Sequence, residues 1–272
     1  MMTDKIRVLV RSWFARVTLL LVTALTSTAH AKLHTETVGY RDGGTMLEGY
    51  LAYDDSGNAK KPGILVVHDW MGVSAETKRR ADMLAELGYV AFATDIYGKG
   101  VRPIDAKAAA VESSKWKGQR QKLRTRARAG LQYLSAHKRV DAAHVVALGY
   151  CFGGTVALEV ARSGAPLAGV VVFHGGLDTP TPADAKAIKG KVLALQGGDD
   201  PYVPAEQVAA FESEMRNAGV DWQVVLYGGA VHSFTISNAG NDPKNGAAYN
   251  ESADKRSWAA MKDFLTELFA SN

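Results

Sequence analysis

The chain has 272 residues, 47% of them hydrophobic and 22% charged, with a formal net charge of +4. Residues 1–31 hold four Lys/Arg against one Asp, so residues 32–272 carry only +1, a balance that gives no reason to expect nucleic acid as a partner. The single cysteine, Cys151, excludes an intramolecular disulfide.

The first segment places Lys5, Arg7, Arg11 and Arg16 ahead of and around a short apolar run, Val17 to Leu25, and ends in Ala29-His30-Ala31. Basic start, short apolar stretch and a small-residue site read as a secretory signal peptide cleaved after Ala31. The run is too short for the roughly 20 residues of a membrane span. The expectation is an exported protein, in a bacterial periplasm, with no stable membrane insertion once the leader is gone. Residues 32–272 then form one α/β domain.

Strand-like pieces at Thr35 to Tyr40 and Met46 to Tyr53 flank Arg41-Asp42-Gly43-Gly44, a hairpin signal. Ile64 to Val67 is a continuous apolar run of the kind found in buried parallel strands, and His68 ends it. A helix is expected over Thr77 to Leu87, stopped by Gly88, then a strand over Tyr89 to Thr94. Residues 96–118 have no clear period. A long helix from about Gln119 to Ala136 puts Leu123, Ala127, Leu131 and Leu134 on one face. Its basic run, from Lys115 through Lys117, Arg120, Lys122, Arg124 and Arg126 to Arg128, reads as a solvated outer face.

Val145 to Leu148 leads into Gly149-Tyr150-Cys151-Phe152-Gly153-Gly154, and Val156, Ala157, Val160 and Ala161 follow at helical spacing. This is strand, sharp turn and helix with a nucleophile at the tip, the G-x-S-x-G elbow with cysteine for serine. Strands at Gly169 to Phe173, Lys191 to Leu195 and Trp222 to Leu226 come next. Val203 to Ala218 is helical, and an amphipathic helix containing Trp258, Met261, Phe264 and Leu265 closes the chain. Alternating strands and helices predict a mostly parallel sheet covered on both faces, with ligands at the carboxyl ends of the strands.

Two of those strand ends carry the partners that a nucleophilic cysteine needs. Asp199-Asp200-Pro201 follows one, and His232-Ser233-Phe234 lies beyond the last. Nucleophile, acid, histidine is the chain order of α/β-hydrolases. Cys151 is the candidate nucleophile, His232 the base and Asp200 the group that orients it. Asp199 competes with Asp200, but Pro201 begins a turn that leaves Asp199 to face solvent. His68 and His174 both end apolar strands, where they either line the site or pack.

The motifs Gly-Tyr-Cys-Phe-Gly-Gly, Gly-x-Asp-x-x-Val-Pro and Gly-x-x-His-Ser-Phe, in this order, resemble the dienelactone hydrolase family over essentially the whole of residues 35–272. The resemblance implies an α/β-hydrolase fold and a Cys-His-Asp triad of Cys151, His232 and Asp200. It implies action on a small-molecule ester or lactone, without metal or cofactor. It also implies an oxyanion hole from the backbone N–H groups of Phe152 and Trp70. Asp69 stands where the family has a glutamate that supports the nucleophile, one methylene shorter. The family's substrate-binding arginines have no match: Lys99 is the nearest substitute for one, and Ile236 stands in the region of the other. Met71, Lys99, His174 and Phe234 are the pocket candidates, and with Trp70 and Phe152 the apolar ones suggest an apolar acyl or alcohol site. A non-hydrolytic member of the same fold, binding a ligand or sensing oxidants through Cys151, is the alternative.

Overall fold

The structure, a computed structural model, describes residues 32–270, so the expected leader lies outside the described residues. Eight strands form one sheet: β1 (Leu33–Asp42), β2 (Thr45–Asp54), β3 (Lys61–Val67), β4 (Val90–Thr94), β5 (Val140–Tyr150), β6 (Gly169–Phe173), β7 (Lys191–Gly197) and β8 (Trp222–Tyr227). Their order across the sheet is β1-β2-β4-β3-β5-β6-β7-β8. The hairpin β1–β2 is antiparallel, β2 pairs antiparallel with β4, and every pairing from β4 to β8 is parallel.

The described residues form six α-helices: α1 (Ala75–Glu86), α2 (Ala106–Lys117), which packs on α3 (Arg120–Ala136), then α4 (Phe152–Arg162), α5 (Ala205–Ala218) and α6 (Glu251–Phe269). The alternation of side chains along a strand sorts the core into two layers. On β3, Leu65 and Val67 pack with Leu123 and Leu131 of α3 and Val156 of α4. Ile64 and Val66 face the other way, toward Leu84 of α1 and Met261 and Leu265 of α6. Strands buried on both faces must be apolar at nearly every position, which is why β3, β6, β7 and β5 from Val145 to Leu148 read as apolar runs.

Two expectations need correction. Residues 96–118 are not irregular throughout: α2 starts at Ala106, with the Asp105 side chain accepting the Ala108 N–H at the helix start. Its buried stripe is Ala109, Ser113 and Trp116, helical in spacing but too weakly apolar to stand out. The basic run is a solvated face only in part: Lys115, Lys122 and Arg128 are exposed, but two of the arginines between them are not. Arg124 and Arg126 are buried: Arg124 pairs with Glu159 (2.8 Å) and Asp184 (2.7 Å), and Arg126 with Asp42 (2.8 Å). Arg120 pairs with Asp178 at 2.8 Å. The acids come from β1, α4 and the segments after β6, so nothing near the run in sequence revealed them.

Candidate active site

The carboxyl ends of β3, β5, β6, β7 and β8 supply the site. β5 runs straight into Cys151, whose backbone sits at φ 53°, ψ −117°, before α4 begins at Phe152. A non-glycine residue at positive φ costs about 1–3 kcal/mol and persists only where its surroundings enforce it. The enforcement is steric. A Cβ on Gly149 would lie 2.0 Å from the Gly153 carbonyl oxygen, and one on Gly153 would lie 2.3 Å from that of Val67. Strand, turn and helix are thus in backbone contact, and the Cys151 N–H is tied to the Phe173 carbonyl on β6 at 3.0 Å. The sulfur stands at a helix N-terminus, where the peptide dipoles favour negative charge.

His232 follows β8. Its ring reaches two groups at once: Nε2 is 3.1 Å from Cys151 Sγ, and Nδ1–H donates to Asp200 Oδ2 at 2.8 Å. Asp200 follows β7, is buried, and accepts the Tyr202 N–H on its other oxygen at 2.8 Å. Asp199 is exposed, and its N–H ties this loop to the Ala230 carbonyl at 3.0 Å. The His232 loop is held by a parallel bridge to Ala247, with the His232 N–H on Gly246 and the Ala248 N–H on the His232 carbonyl. Burial opposes a charge on His232, but the neighbouring sulfur and the Asp200 carboxylate outweigh it and raise the imidazole from 6.5 to about 10. The charged form of the imidazole is thus favoured where its Nε2 meets the sulfur.

Cys151 and His232 border a cleft with two lobes that meet at Cys151, while the Asp200 side chain is buried behind the histidine. One, of about 260 Å³, is walled by Phe152, Lys117 at the end of α2, Tyr202 and Val203. The other, of about 440 Å³, is walled by Asp69, Met71, Glu76 and Ile236. Trp70, Cys151, Ser233 and Ala247 border both. The backbone N–H groups of Phe152 and Trp70 donate no hydrogen bond among the described residues. Two unclaimed donors beside a nucleophile are what an oxyanion hole requires.

The remaining candidates divide. Met71 borders the larger lobe. Asp69 does too, but its Oδ1 accepts the Met71 N–H at 2.8 Å, and the polar partner of the sulfur is His232. Burial raises the Asp69 carboxyl from 3.8 to about 6 against the pull of that hydrogen bond. Three pocket assignments fail. Lys99 is exposed, lies 3.5 Å from Glu48, and borders neither lobe, because the chain after Tyr97 turns toward β2. His174 and Phe234 are fully buried beneath the cleft floor. Their rings stack edge to face at 5.1 Å, and His174 lies 5.2 Å from the ring of His232. His174 Nε2 and the Thr235 hydroxyl are 2.8 Å apart, and burial pushes the His174 imidazole well below its ordinary value. Sequence reading missed Lys117, Tyr202 and Ala247 as wall residues. A proline-bounded turn after Asp200 pointed to Tyr202, whereas nothing local marked the other two.

Among the described residues no cluster of three or more His, Cys, Asp or Glu side chains could hold a metal ion. No helix among them is long and apolar enough to cross a membrane.

The strand order, with a nucleophile elbow after β5 and acid and histidine after β7 and β8, defines an α/β-hydrolase fold. Within that class the chain belongs to the dienelactone hydrolase family, whose model matches residues 47–269. The solved structure of m3DLH is 40% identical, superposes with a TM-score of 0.84, and matches 87% of this chain and 99% of its own. A dienelactone hydrolase-like promiscuous phosphotriesterase from metagenomic libraries is 39% identical, with a TM-score of 0.82, over 87% of this chain and 98% of its own. Protein usf of Aquifex pyrophilus is 25% identical over 84% of this chain and 98% of its own length.

Proposed function

We propose that this protein is a cysteine hydrolase that cleaves ester, lactone or thioester bonds through an acyl-enzyme on Cys151. The observation that carries the reading is the unbroken chain from Cys151 Sγ to His232 Nε2 at 3.1 Å and from His232 Nδ1 to Asp200 at 2.8 Å, opening on a cleft. The thiolate attacks the substrate carbonyl carbon. A C–S bond forms, and the carbonyl π pair moves to oxygen, where the N–H groups of Phe152 and Trp70 receive it. Each such donor contributes about 3 kcal/mol where donors of this kind have been removed. Collapse breaks the C–O bond, and the leaving alkoxide takes the proton on His232 Nε2. In a lactone the alcohol stays tethered to the acyl group. A water molecule then gives its proton to His232 and attacks the thioester, which releases the thiolate. Asp200 keeps Nδ1 protonated, so that Nε2 alone exchanges protons.

The two lobes supply separate room for the acyl and alcohol parts. Lys117 borders the smaller, and Asp69 and Glu76 the larger. Within the same proposal, residues 1–31 are a leader and the hydrolase works outside the cytoplasm.

The test is hydrolysis of a short aryl ester by the wild type and by Cys151→Ala. Loss of turnover in the variant, with trapping of an acyl group on Cys151 by mass spectrometry in the wild type, is expected. Equal turnover by the two proteins would sink the mechanism.

A further inference from the structure

His68 directly follows β3 and is fully buried, yet it borders neither lobe of the cleft. Its ring lies between Tyr97, at 4.7 Å and nearly edge-on, and Phe152, at 5.9 Å and stacked. Packing accounts for the ring but not for its two nitrogens, both of which have partners of fixed polarity.

Nε2 lies 3.1 Å from the Ile96 backbone nitrogen. A backbone N–H can only donate, so Nε2 accepts and carries no proton. A neutral imidazole then has its proton on Nδ1. Nδ1 lies 2.6 Å from the carbonyl oxygen of Asp69, which can only accept. The two contacts therefore agree on one tautomer and one direction, from the Ile96 N–H through the ring to the Asp69 carbonyl.

That carbonyl belongs to the same peptide unit as the N–H of Trp70. The unit is planar, and no peptide bond among the described residues is cis. In a trans unit C=O and N–H point in opposite directions, so a grip on the oxygen sets the aim of the hydrogen. The neighbouring donors of the turn are already committed: the Met71 N–H to Asp69 Oδ1 at 2.8 Å, and the Gly72 N–H to the same Asp69 carbonyl at 3.4 Å. The Trp70 N–H, just before these two, has no acceptor among the described residues. A hydrogen bond accepted by the carbonyl also polarises its amide and makes the N–H a better donor.

We propose that His68 is a positioning residue for the oxyanion hole, holding the Asp69–Trp70 peptide so that the Trp70 N–H meets the developing oxyanion. The inference rests on the hydrolase reading above, in which Trp70 supplies one of the two donors. It distinguishes His68 from His232: His68 handles no proton in the reaction and touches neither the sulfur nor the substrate.

The experiment compares His68→Gln, His68→Phe and Cys151→Ala with the wild type, as full-length chains. Glutamine can accept from Ile96 and donate to Asp69, whereas phenylalanine keeps the ring and does neither. Two rates are measured. Hydrolysis of p-nitrophenyl acetate passes through an oxyanion. Alkylation of Cys151 by iodoacetamide does not: sulfur displaces iodide at a saturated carbon. His68→Phe is expected to lose about 10- to 100-fold in kcat, the effect of a donor misplaced by about 1 Å and short of the 10²- to 10³-fold for one removed, with KM and the alkylation rate nearly unchanged. His68→Gln is expected to recover most of the loss.

An unchanged kcat in His68→Phe overturns the inference. So does a parallel fall in alkylation, which would place the effect on the sulfur or on folding. Should His68→Phe fail to fold, His68→Asn replaces it, with the same polar groups on a side chain too short to span both partners. Equal kcat in the Asn and Gln variants then refutes the role. Wild-type hydrolysis by Cys151→Ala would instead overturn the hydrolase reading itself.

Discussion

Asp69→Asn separates the electrostatic cost of a residue from its chemistry. In the folded chain, burial raises the Asp69 carboxyl from 3.8 to about 6, with Glu76 adding to the rise and the Met71 N–H opposing it. Between these two values the folded protein holds a proton that the unfolded chain has lost. Stability therefore falls as pH rises through this window and stays lower above it. At about 1.4 kcal/mol per pH unit the gap corresponds to about 3 kcal/mol, a ceiling because the carboxylate borders an open cleft. Asparagine has the same shape and keeps an oxygen for the Met71 N–H, but it carries no charge. The variant should therefore be more stable than the wild type at pH 8, by up to about 6–12 °C in Tm for a domain of this size, and no more stable at pH 4. Scanning calorimetry of both proteins at pH 4, 6 and 8 checks this. A Tm difference that ignores pH, or a loss of stability at pH 8, would refute the reasoning. The sulfur is paired with His232 and not with Asp69, so kcat of the variant should fall by less than about 100-fold, the floor for removing a general base.

Asp200→Asn should lower kcat by roughly 10⁴-fold, because an amide facing Nδ1 no longer specifies the tautomer that leaves Nε2 free. A loss under tenfold in aryl-ester turnover would contradict that role. Replacing Cys151 by Ala should lower the His232 titration from about 10, since the neighbouring sulfur is a principal cause of the rise; imidazole NMR shifts followed against pH measure it, and an unmoved midpoint would count against the pair. Arg162 is fully buried between Glu214, at 2.8 Å, and Glu159, at 3.2 Å. Arg162→Met leaves those carboxylates short of a partner and should cost about 3–5 kcal/mol in denaturant unfolding; a change under about 1 kcal/mol would mean the network is dispensable. Expressed in a bacterium from its full reading frame, the protein should be recovered in the periplasmic fraction with Lys32 at its N-terminus, as protein sequencing would read. Recovery only as the full-length chain in the cytoplasm would contradict the leader.

What the sequence revealed follows from how locally each feature is encoded. The strands β3, β6 and β7 and the second half of β5 are mostly apolar and buried, so a few consecutive residues identify them. Cys151, Asp200 and His232 follow strand ends within short glycine- and proline-bearing loops, and their chain order is the basis, by analogy, of the roles proposed for them. Helix α2 was hidden because its buried stripe is Ala109, Ser113 and Trp116, which barely differs in hydropathy from its exposed side. Arg124 and Arg126 looked solvated because charge alone says nothing about partners more than 30 residues away, such as Glu159 and Asp42. The pocket was the least legible part. Lys99, His174 and Phe234 sit close in sequence to site residues, yet one turns outward and two sink into the floor. Lys117 and Ala247 reach the cleft from segments with no motif at all.

The division of the cleft at Cys151 has a consequence for how such a hydrolase changes over generations. Lys117 and Tyr202 occur on one side of the sulfur only, Met71 and Ile236 on the other only, and these pairs lie on different stretches of chain. A substitution in one stretch alters the room for one half of a substrate without touching the space for the other. Under the proposed function, preference for an acid and preference for its alcohol are therefore separately heritable traits. A lineage can drift toward a new ester one half at a time while the elbow, the histidine loop and the turn at Asp69 stay as they are.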